Sequence, residues 1–136
     1  GRTYLFDAAH NPDSARELFV FLDESPLELS AVICGGMNDK ALEGVFAAIP
    51  EGLPVFAAEI DSPRAADKKQ LRDALEDKML VACGPTPALL ERAALEADAD
   101  DTILVFGSVY LIGEAFRALG VTPDELRTFI THPAPV

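Results

Sequence analysis

Polar residues able to bind a ligand follow the first apolar run of the sequence. Asp7, His10 and Asn11 come directly after the run 4–6, and Pro12 follows them. An aspartate can accept hydrogen bonds from ribose hydroxyls, and a histidine can contact a phosphate group. Ligands of open α/β sheets bind outside the carboxyl ends of the strands. This stretch is therefore a candidate nucleotide-binding turn.

Further candidates follow later apolar runs. Lys40 and Arg64 follow the second and third runs and are able to hold an anion. The pairs 35–36 and 107–108, Gly-Gly and Gly-Ser, end two runs, and glycines let backbone N–H groups approach an anion. A simpler interpretation stays open, because strand-to-helix turns are rich in these residues for backbone reasons alone. Single cations are also more often solvated surface charges than ligands.

Several patterns argue against a self-contained catalytic site. Asp39 is interpreted as an N-cap of the helix that follows it. His10 lies near an aspartate, but no serine or cysteine nucleophile signature accompanies the pair. The sequence contains neither a G-x-x-x-x-G-K-[ST] phosphate loop nor a G-x-G-x-x-G fingerprint after the first strand. If the domain uses ATP, its main phosphate cradle must lie on another polypeptide segment.

Apolar runs and amphipathic stretches alternate along the chain and predict the elements that position these residues. Three of the runs are apolar throughout, as expected of parallel strands covered on both faces. We expect one doubly wound, mostly parallel, Rossmann-like α/β sheet with all its carboxyl ends along one edge. Asn11 with Pro12 is predicted to begin the first helix, and Gly120 to end the fifth. Strands are predicted at 3–7, 29–34, 54–60, 79–83 and 102–106, and helices at 13–24, 40–49, 66–78, 87–97 and 110–119, with a short helix at 122–130.

The composition restricts the partners. The chain has 136 residues, 49% hydrophobic and 25% charged, enough for one folded domain. Its net charge of −12 argues against nucleic acid or an anionic membrane surface as a partner. No apolar run approaches the ~20 residues of a membrane span. Cys34 and Cys83 each lie in an apolar run, so we expect two buried, reduced thiols rather than a disulfide or a metal pair, and a cytosolic compartment.

Four segments resemble motifs of one enzyme family. Residues 7–12, D-A-A-H-N-P, resemble the D-G-A-H-N-P motif that opens the C-terminal domain of folylpolyglutamate synthase and dihydrofolate synthase, members of the Mur ligase superfamily. Residues 36–40 are similar to the family's G-M-x-x-D-K segment, offset by one residue. Residues 62–66 are similar to its P-R-A segment and 105–111 to its V-x-G-S-x-Y-L strand end. The first motif is shared with other Mur ligases, whereas the set of four points to the folate branch.

The resemblance implies that residues 1–136 are a single glutamate ligase domain of a larger enzyme, whose N-terminal and central ATPase domains are absent from this chain. In that family ATP phosphorylates a substrate carboxylate, and the acyl phosphate is attacked by the amino group of an amino acid, giving an amide, ADP and phosphate. The central domain supplies the phosphate loop and the Mg²⁺ ligands, and the C-terminal domain packs on it and closes over ATP. The folate branch adds L-glutamate to a folate or pteroate substrate. The isolated domain is expected to be inactive, monomeric and cytoplasmic.

The resemblance also implies roles for individual residues. Asp7 would bind the ribose of ATP, and His10 would lie near its phosphates. Four residues would lie near the incoming glutamate: Asn11, Lys40, Arg64 and Ser108. No metal ligand is assigned to this chain.

The chain departs from the family pattern at two positions. The family's glycine after the motif aspartate is Ala8 here, so a turn that needs a positive φ would be strained. The acidic residue expected after the D-K pair is Ala41. Both departures lie beside residues with an assigned role and leave those residues in place.

Other functions stay open at this point. A Mur-type ligase of peptidoglycan precursor synthesis would share the first motif, and would differ in the substrate-binding part that is absent here. A stand-alone Rossmann-like module would bind a small ligand or a protein partner without chemistry. An oxidoreductase is disfavoured by the missing dinucleotide fingerprint.

Overall fold

The computed structural model describes residues 3–98 and 100–121. The short helix predicted at 122–130 lies outside the described residues. The predicted alternation of strands and helices is confirmed from the first strand to the fifth helix. The elements are β1 (Thr3–Asp7), α1 (Pro12–Asp23), β2 (Leu29–Cys34), α2 (Leu42–Ala47), β3 (Pro54–Ala58), α3 (Lys68–Ala74), β4 (Met79–Gly84), α4 (Thr86–Glu96), β5 (Thr102–Phe106) and α5 (Val109–Leu119).

The five strands form one all-parallel sheet in the order β1-β5-β2-β3-β4. This confirms the predicted doubly wound fold. The strand β5 is inserted between β1 and β2, so Phe106 has Asp7 as its partner on one side and Cys34 on the other. The carboxyl ends of β1, β5 and β2 are therefore neighbours, and the residues that follow them share one edge of the sheet.

Helices cover both faces of the sheet. Alternate residues of β2 face opposite layers: Val32 and Cys34 pack with α1, α2 and α3, whereas Ala31 and Ile33 pack with α4 and α5. Phe106 is fully buried at the end of β5. Burial of one such aromatic side chain contributes roughly 1.5–3 kcal/mol to folding, so Phe106 helps to hold the end of β5 in place beneath the candidate site.

The strand β1 differs from the expectation of full coverage on both faces. It is an edge strand, and only its last two residues, Phe6 and Asp7, are buried. Its apolar run therefore predicts a strand correctly but overstates how deeply the beginning of that strand is buried. The same edge position leaves the start of the strand outside the core while its carboxyl end reaches the candidate site.

The predicted helix ends are partly confirmed. The Asn11 side chain accepts a hydrogen bond from Ser14 N at 2.8 Å, with Pro12 in the first turn, and Gly120 ends α5 with a left-handed φ of 69°. Asp39 is not the N-cap of α2, which is Ala41; its carboxylate instead accepts a hydrogen bond from the Ala41 N–H at 2.8 Å, just before the helix begins. The prediction was wrong because residues 38–41 form a turn of their own before the helix begins.

Other boundaries shift where loops are fixed by distant contacts. The third strand ends at residue 58 rather than 60, and α3 spans seven residues rather than the predicted 66–78. Asp67 begins α3 through a capping box with Gln70, which leaves the residues before it to the preceding loop. Only Leu71 of α3 is buried, as expected of a highly charged, exposed helix.

The two cysteines are free thiols. Cys34 of β2 and Cys83 of β4 both have Ala57 of the intervening β3 as a register partner. Two strand spacings of ~4.8 Å separate them, which exceeds the reach of a disulfide. Cys34 is buried as predicted, but Cys83 is only half-buried. Burial, and secondarily the neighbouring Cys83, raise the pKa of the Cys34 thiol.

Thiol reactivity provides a test of this arrangement. In the folded protein we expect N-ethylmaleimide to modify Cys83 at least about tenfold faster than Cys34, because the thiolate is the reactive form and Cys34 is both buried and held neutral. Peptide mass spectrometry over a reaction time course measures both rates. Equal rates in the folded state would contradict the placement of Cys34, and modification of both thiols in urea is the control.

Salt provides a second test. The ion pairs among the described residues lie at the surface, such as Lys69 with Asp73, and the net charge is −12. We expect the melting temperature to rise by roughly 5 °C between about 0.1 M and about 1 M NaCl, because screening weakens the repulsion among carboxylates. Thermal melts followed by circular dichroism measure the shift. An unchanged or lower melting temperature would show that this repulsion does not limit stability.

Candidate functional site

A cleft of about 210 Å³ lies at the carboxyl ends of β1, β5 and β2. One wall is formed by the glycine pair 35–36, Met37 and Asp39, together with the first residues of α2. The opposite wall is the segment 107–110, where β5 passes into α5, and His10 also borders the cleft. The position is the one that the sequence predicts, at the shared edge of the strands.

The floor of the cleft depends on a close backbone contact between β5 and β2. Gly107 has a φ of 116°, and a Cβ placed there would collide with the carbonyl oxygen of Gly35. A Cβ on Gly35 would in turn lie 3.0 Å from a methyl carbon of Ile60. Close packing and a positive φ are therefore sufficient reasons for Gly107 and Gly35. Both residues also line the cleft, so the backbone interpretation and the ligand interpretation apply to the same glycines.

The turn after β1 is organised by its own polar side chains. Asp7 is 8% exposed, and its carboxylate accepts a hydrogen bond from Ala9 N at 2.8 Å. His10 is exposed, with its Nδ1 3.1 Å from the carbonyl oxygen of Ala8. A carbonyl oxygen only accepts, so Nδ1 is the donor in this contact, and Nε2 is the ring nitrogen that can contact a ligand. Asn11 uses its side-chain oxygen to cap α1.

Ala8 causes no backbone strain. Among the described residues, positive φ angles occur only at glycines. The turn after Asp7 therefore accommodates Ala8 in an ordinary conformation, and this departure from the family motif does not distort the site.

The segment 36–40 is held by contacts from outside the sheet. Asn38 N donates to the carbonyl oxygen of Arg64 at 2.7 Å, and Ala66 N donates to that of Gly36 at 2.9 Å. Met37 also forms a β-bridge with Ala65. The Gln70 side-chain amide donates to the Asn38 side-chain oxygen. The loop 61–66 thus lies alongside the segment 36–38 and holds the backbone of that segment in place.

The two predicted cations flank the cleft rather than line it. Lys40 is exposed and borders a second groove of about 280 Å³ between α2 and α3. Asp39 lines both the cleft and this groove. Arg64 is exposed on the loop 61–66, where its backbone carbonyl is the acceptor for Asn38. Both cations lie beside the same wall of the cleft, Lys40 directly after Asp39 in the chain and Arg64 through its backbone hydrogen bond with Asn38.

Ser108 lies in the cleft itself. It is 5% exposed, and its Oγ accepts a hydrogen bond from Tyr110 N at 3.1 Å as the N-cap of α5. A serine hydroxyl keeps one O–H donor while it accepts, so Ser108 can also donate to a ligand. Of the predicted residues, the structure thus brings His10 and Ser108 to the cleft, while Asp7 and Asn11 shape the turn behind it.

Sequence reasoning missed the apolar part of the lining. Met37, Leu42 and Val45 form one side, and Val109 lies at the rim beside Tyr110, which is 59% exposed. Leu42 and Val45 also belong to the core, where one side of each packs, so their helical spacing alone does not indicate a second role at the cleft. Val109 could have indicated this apolar lining, because it follows Ser108 and does not lie on the buried face of α5.

The lining suits a small ligand of mixed character. Polar groups are few, namely the His10 imidazole, the hydroxyls of Ser108 and Tyr110, the Asp39 carboxylate and backbone groups, and they lie among apolar side chains. Such a combination orients a ligand through the polar groups while the apolar surface excludes water. In the described part of the chain, no three His, Cys, Asp or Glu side chains converge as a metal site requires. Among the described residues no helix has the length and hydrophobicity that crossing a bilayer requires.

Comparison with known families gives one match over most of the chain. Residues 1–109 match the family described as Mur ligase, glutamate ligase domain. The matched range includes the strands β1 to β5 and ends at the first residue of α5. It therefore contains both walls of the cleft, apart from Tyr110.

Individual relatives are longer than this chain. A probable bifunctional folylpolyglutamate synthase/dihydropteroate synthase of Haloferax volcanii is 34% identical over 116 residues, which cover 83% of this chain and 14% of the relative. The structure of the bifunctional folylpolyglutamate synthase/dihydrofolate synthase of Yersinia pestis, complexed with AMPPNP and Mn ion, is 25% identical with a TM-score of 0.71 over 87% of this chain and 28% of that one. A structure of a bifunctional enzyme of the same name, with Mn, AMPPNP and L-glutamate bound, also is 25% identical, with a TM-score of 0.71 over 89% of this chain and 30% of that one.

The contact beneath the cleft is testable by substitution. Gly107→Ala should lower the free energy of unfolding by roughly 3 kcal/mol, since an alanine there meets both an unfavourable φ and the Gly35 carbonyl. Gly52→Ala is the matched control, because Gly52 has a φ of 82° and open space around it. That control should lose only about 1 kcal/mol. Urea denaturation measures both, and equal losses would show that the close contact with Gly35 contributes nothing.

Proposed function

The chain belongs to the Mur ligase family as a glutamate ligase domain, and from that premise we propose that it is the C-terminal domain of an ATP-dependent ligase that adds L-glutamate to dihydropteroate or folate. The observation that carries the proposal is the coincidence of two findings. The family match includes the strand ends that form the cleft. A solved structure named as a bifunctional folylpolyglutamate synthase/dihydrofolate synthase has the same fold over 87% of this chain. The chain spans less than a third of each of these relatives, so the N-terminal and central ATPase domains are proposed to lie elsewhere in the parent enzyme.

In the proposed reaction, ATP supplies the phosphoryl group that activates a substrate carboxylate as an acyl phosphate. The amino group of glutamate attacks the acyl carbon, the amide bond forms, and phosphate leaves. The phosphate loop and the Mg²⁺ ligands are assigned to the central domain. This chain contributes binding and orientation, and it excludes water from the acyl phosphate once the domains close.

The turn after β1 is assigned to the nucleotide. His10 is exposed at the cleft with its Nδ1 near the Ala8 carbonyl, an arrangement that fits an imidazole directed at phosphates. Asp7 is assigned to the ribose. Its carboxylate also holds Ala9 N, so the same side chain fixes the turn that presents His10.

The remaining assignments concern glutamate. Ser108 has a hydroxyl donor at the cleft, and Asn11 keeps the NH₂ of its side chain while its oxygen caps α1. Lys40 and Arg64 flank one wall and supply positive charge beside it. On a chain of net charge −12, local cations are what an anionic amino acid requires for binding.

The parent enzyme is further proposed to work as a cytoplasmic monomer in which this domain packs on its own central domain. The two free thiols fit a reducing compartment. No nucleic acid or membrane partner is proposed, in line with the strongly acidic surface.

The test uses the full-length parent enzyme. We expect ADP release that requires both glutamate and a dihydropteroate or folate substrate, and no turnover by this chain alone. Lys40→Met should raise the KM for glutamate by about tenfold, because a hydrogen bond to a charged group contributes roughly 1.5–3 kcal/mol. Lys69→Met is the control, since Lys69 is an exposed cation on α3 paired only at the surface with Asp73.

The outcomes separate the alternatives. ADP release with a peptidoglycan precursor instead of folate would assign the parent to the cell-wall branch of the family. Ligand binding by this chain alone, with no ATP-dependent ligation by the parent, would favour a binding module. An unchanged glutamate KM in Lys40→Met would remove Lys40 from the amino-acid site.

A further inference from the structure

A single carboxylate joins three segments of the structure near the cleft. Glu114, half-buried on α5, accepts a hydrogen bond from Thr86 Oγ1 at 2.6 Å and another from Asp61 N at 2.8 Å. Thr86 is 1% exposed at the beginning of α4. Asp61 begins the loop 61–66. The sequence separation of 53 residues between Glu114 and Asp61 explains why no local pattern indicates this contact.

This carboxylate connects the two walls of the cleft. One wall is the beginning of α5, and Glu114 lies one helical turn after Tyr110 of that wall. The other wall is the segment 36–38, which hydrogen-bonds to the loop 61–66 and pairs with it at Ala65. Because Glu114 accepts a hydrogen bond from the first residue of that loop, hydrogen bonds and the loop backbone connect α5 to the opposite wall.

We propose that Glu114 is a positioning residue that anchors the loop 61–66 to α5 and thereby sets the placement of Lys40 and Arg64 for the amino-acid substrate. The inference deepens the proposed function and rests on it. Arg64 lies on the anchored loop. Lys40 follows the segment that the loop holds through Asn38 and Gly36.

The chemistry of the side chain predicts which substitutions are tolerated. Both carboxylate oxygens accept hydrogen bonds, one of them from a backbone N–H. A glutamine can form both hydrogen bonds. Its oxygen accepts from Asp61 N, and its NH₂ donates to the Thr86 hydroxyl, which is also able to accept. A methionine has a similar length and forms neither, which leaves two donors without their partner.

The experiment compares three variants of the full-length enzyme. In Glu114→Met we expect the KM for glutamate to rise by about tenfold, with the KM for ATP changed by less than about twofold. Hydrogen exchange of the ligand-free protein should accelerate at 36–41 and 61–66 by about tenfold, because the anchored loop opens more often. Glu114→Gln should restore both properties. Glu91→Met, on the exposed side of α4, is the matched control and should behave as the wild type.

The outcomes are decisive for the inference. Unchanged exchange at 36–41 in a folded Glu114→Met variant, or equal rises in both KM values, would overturn it. If that variant does not fold, Thr86→Val decides, since it removes only the donor that orients the carboxylate; exchange at 61–66 must then exceed that of the wild type. If the wild-type parent does not ligate glutamate, the proposed function fails, and the exchange measurements alone decide whether Glu114 anchors the loop.

Discussion

The close approach of Gly107 to the carbonyl of Gly35 is the constraint on which the site depends. It exists because β5 lies between β1 and β2 in the sheet. Phe106, the residue before Gly107, is fully buried and has strand partners on both sides. The backbone therefore leaves the core at a fixed point and turns directly into α5. Both walls of the cleft begin at this contact.

The walls differ in how they are held. The α5 wall continues from the sheet through the Ser108 cap and is part of a long amphipathic helix. The opposite wall, 35–39, is followed by a helix of only six residues and depends on contacts with the loop 61–66. A binding surface with one wall fixed by the sheet and one held by a loop suits the proposed closure on a nucleotide bound by the central domain, because orientation is needed only once the domains meet.

Features that depend on neighbouring residues in the sequence were predictable. Apolar runs placed the strands, and Asn11 with Pro12 indicated where α1 begins, because caps depend on neighbouring residues. The four motif segments indicated the family from sequence alone. Contacts between distant residues were not predictable: the insertion of β5, the Asn38 to Gln70 hydrogen bond across 32 residues, and the hydrogen bonds of Glu114. The error at Asp39 has a local origin instead, since its carboxylate accepts from the Ala41 N–H two residues later, before the helix begins.

We propose that glutamate binds in the cleft between 35–39 and 107–110 of the parent enzyme. Hydrogen exchange of the full-length protein, bound to a non-hydrolysable ATP analogue and compared with and without glutamate, tests it most directly. We expect glutamate to slow exchange at 36–41 and at 107–111, because ligand contact and domain closure protect these backbone amides. Ligation of glutamate with unchanged exchange in both segments, and protection elsewhere in the chain, would contradict it.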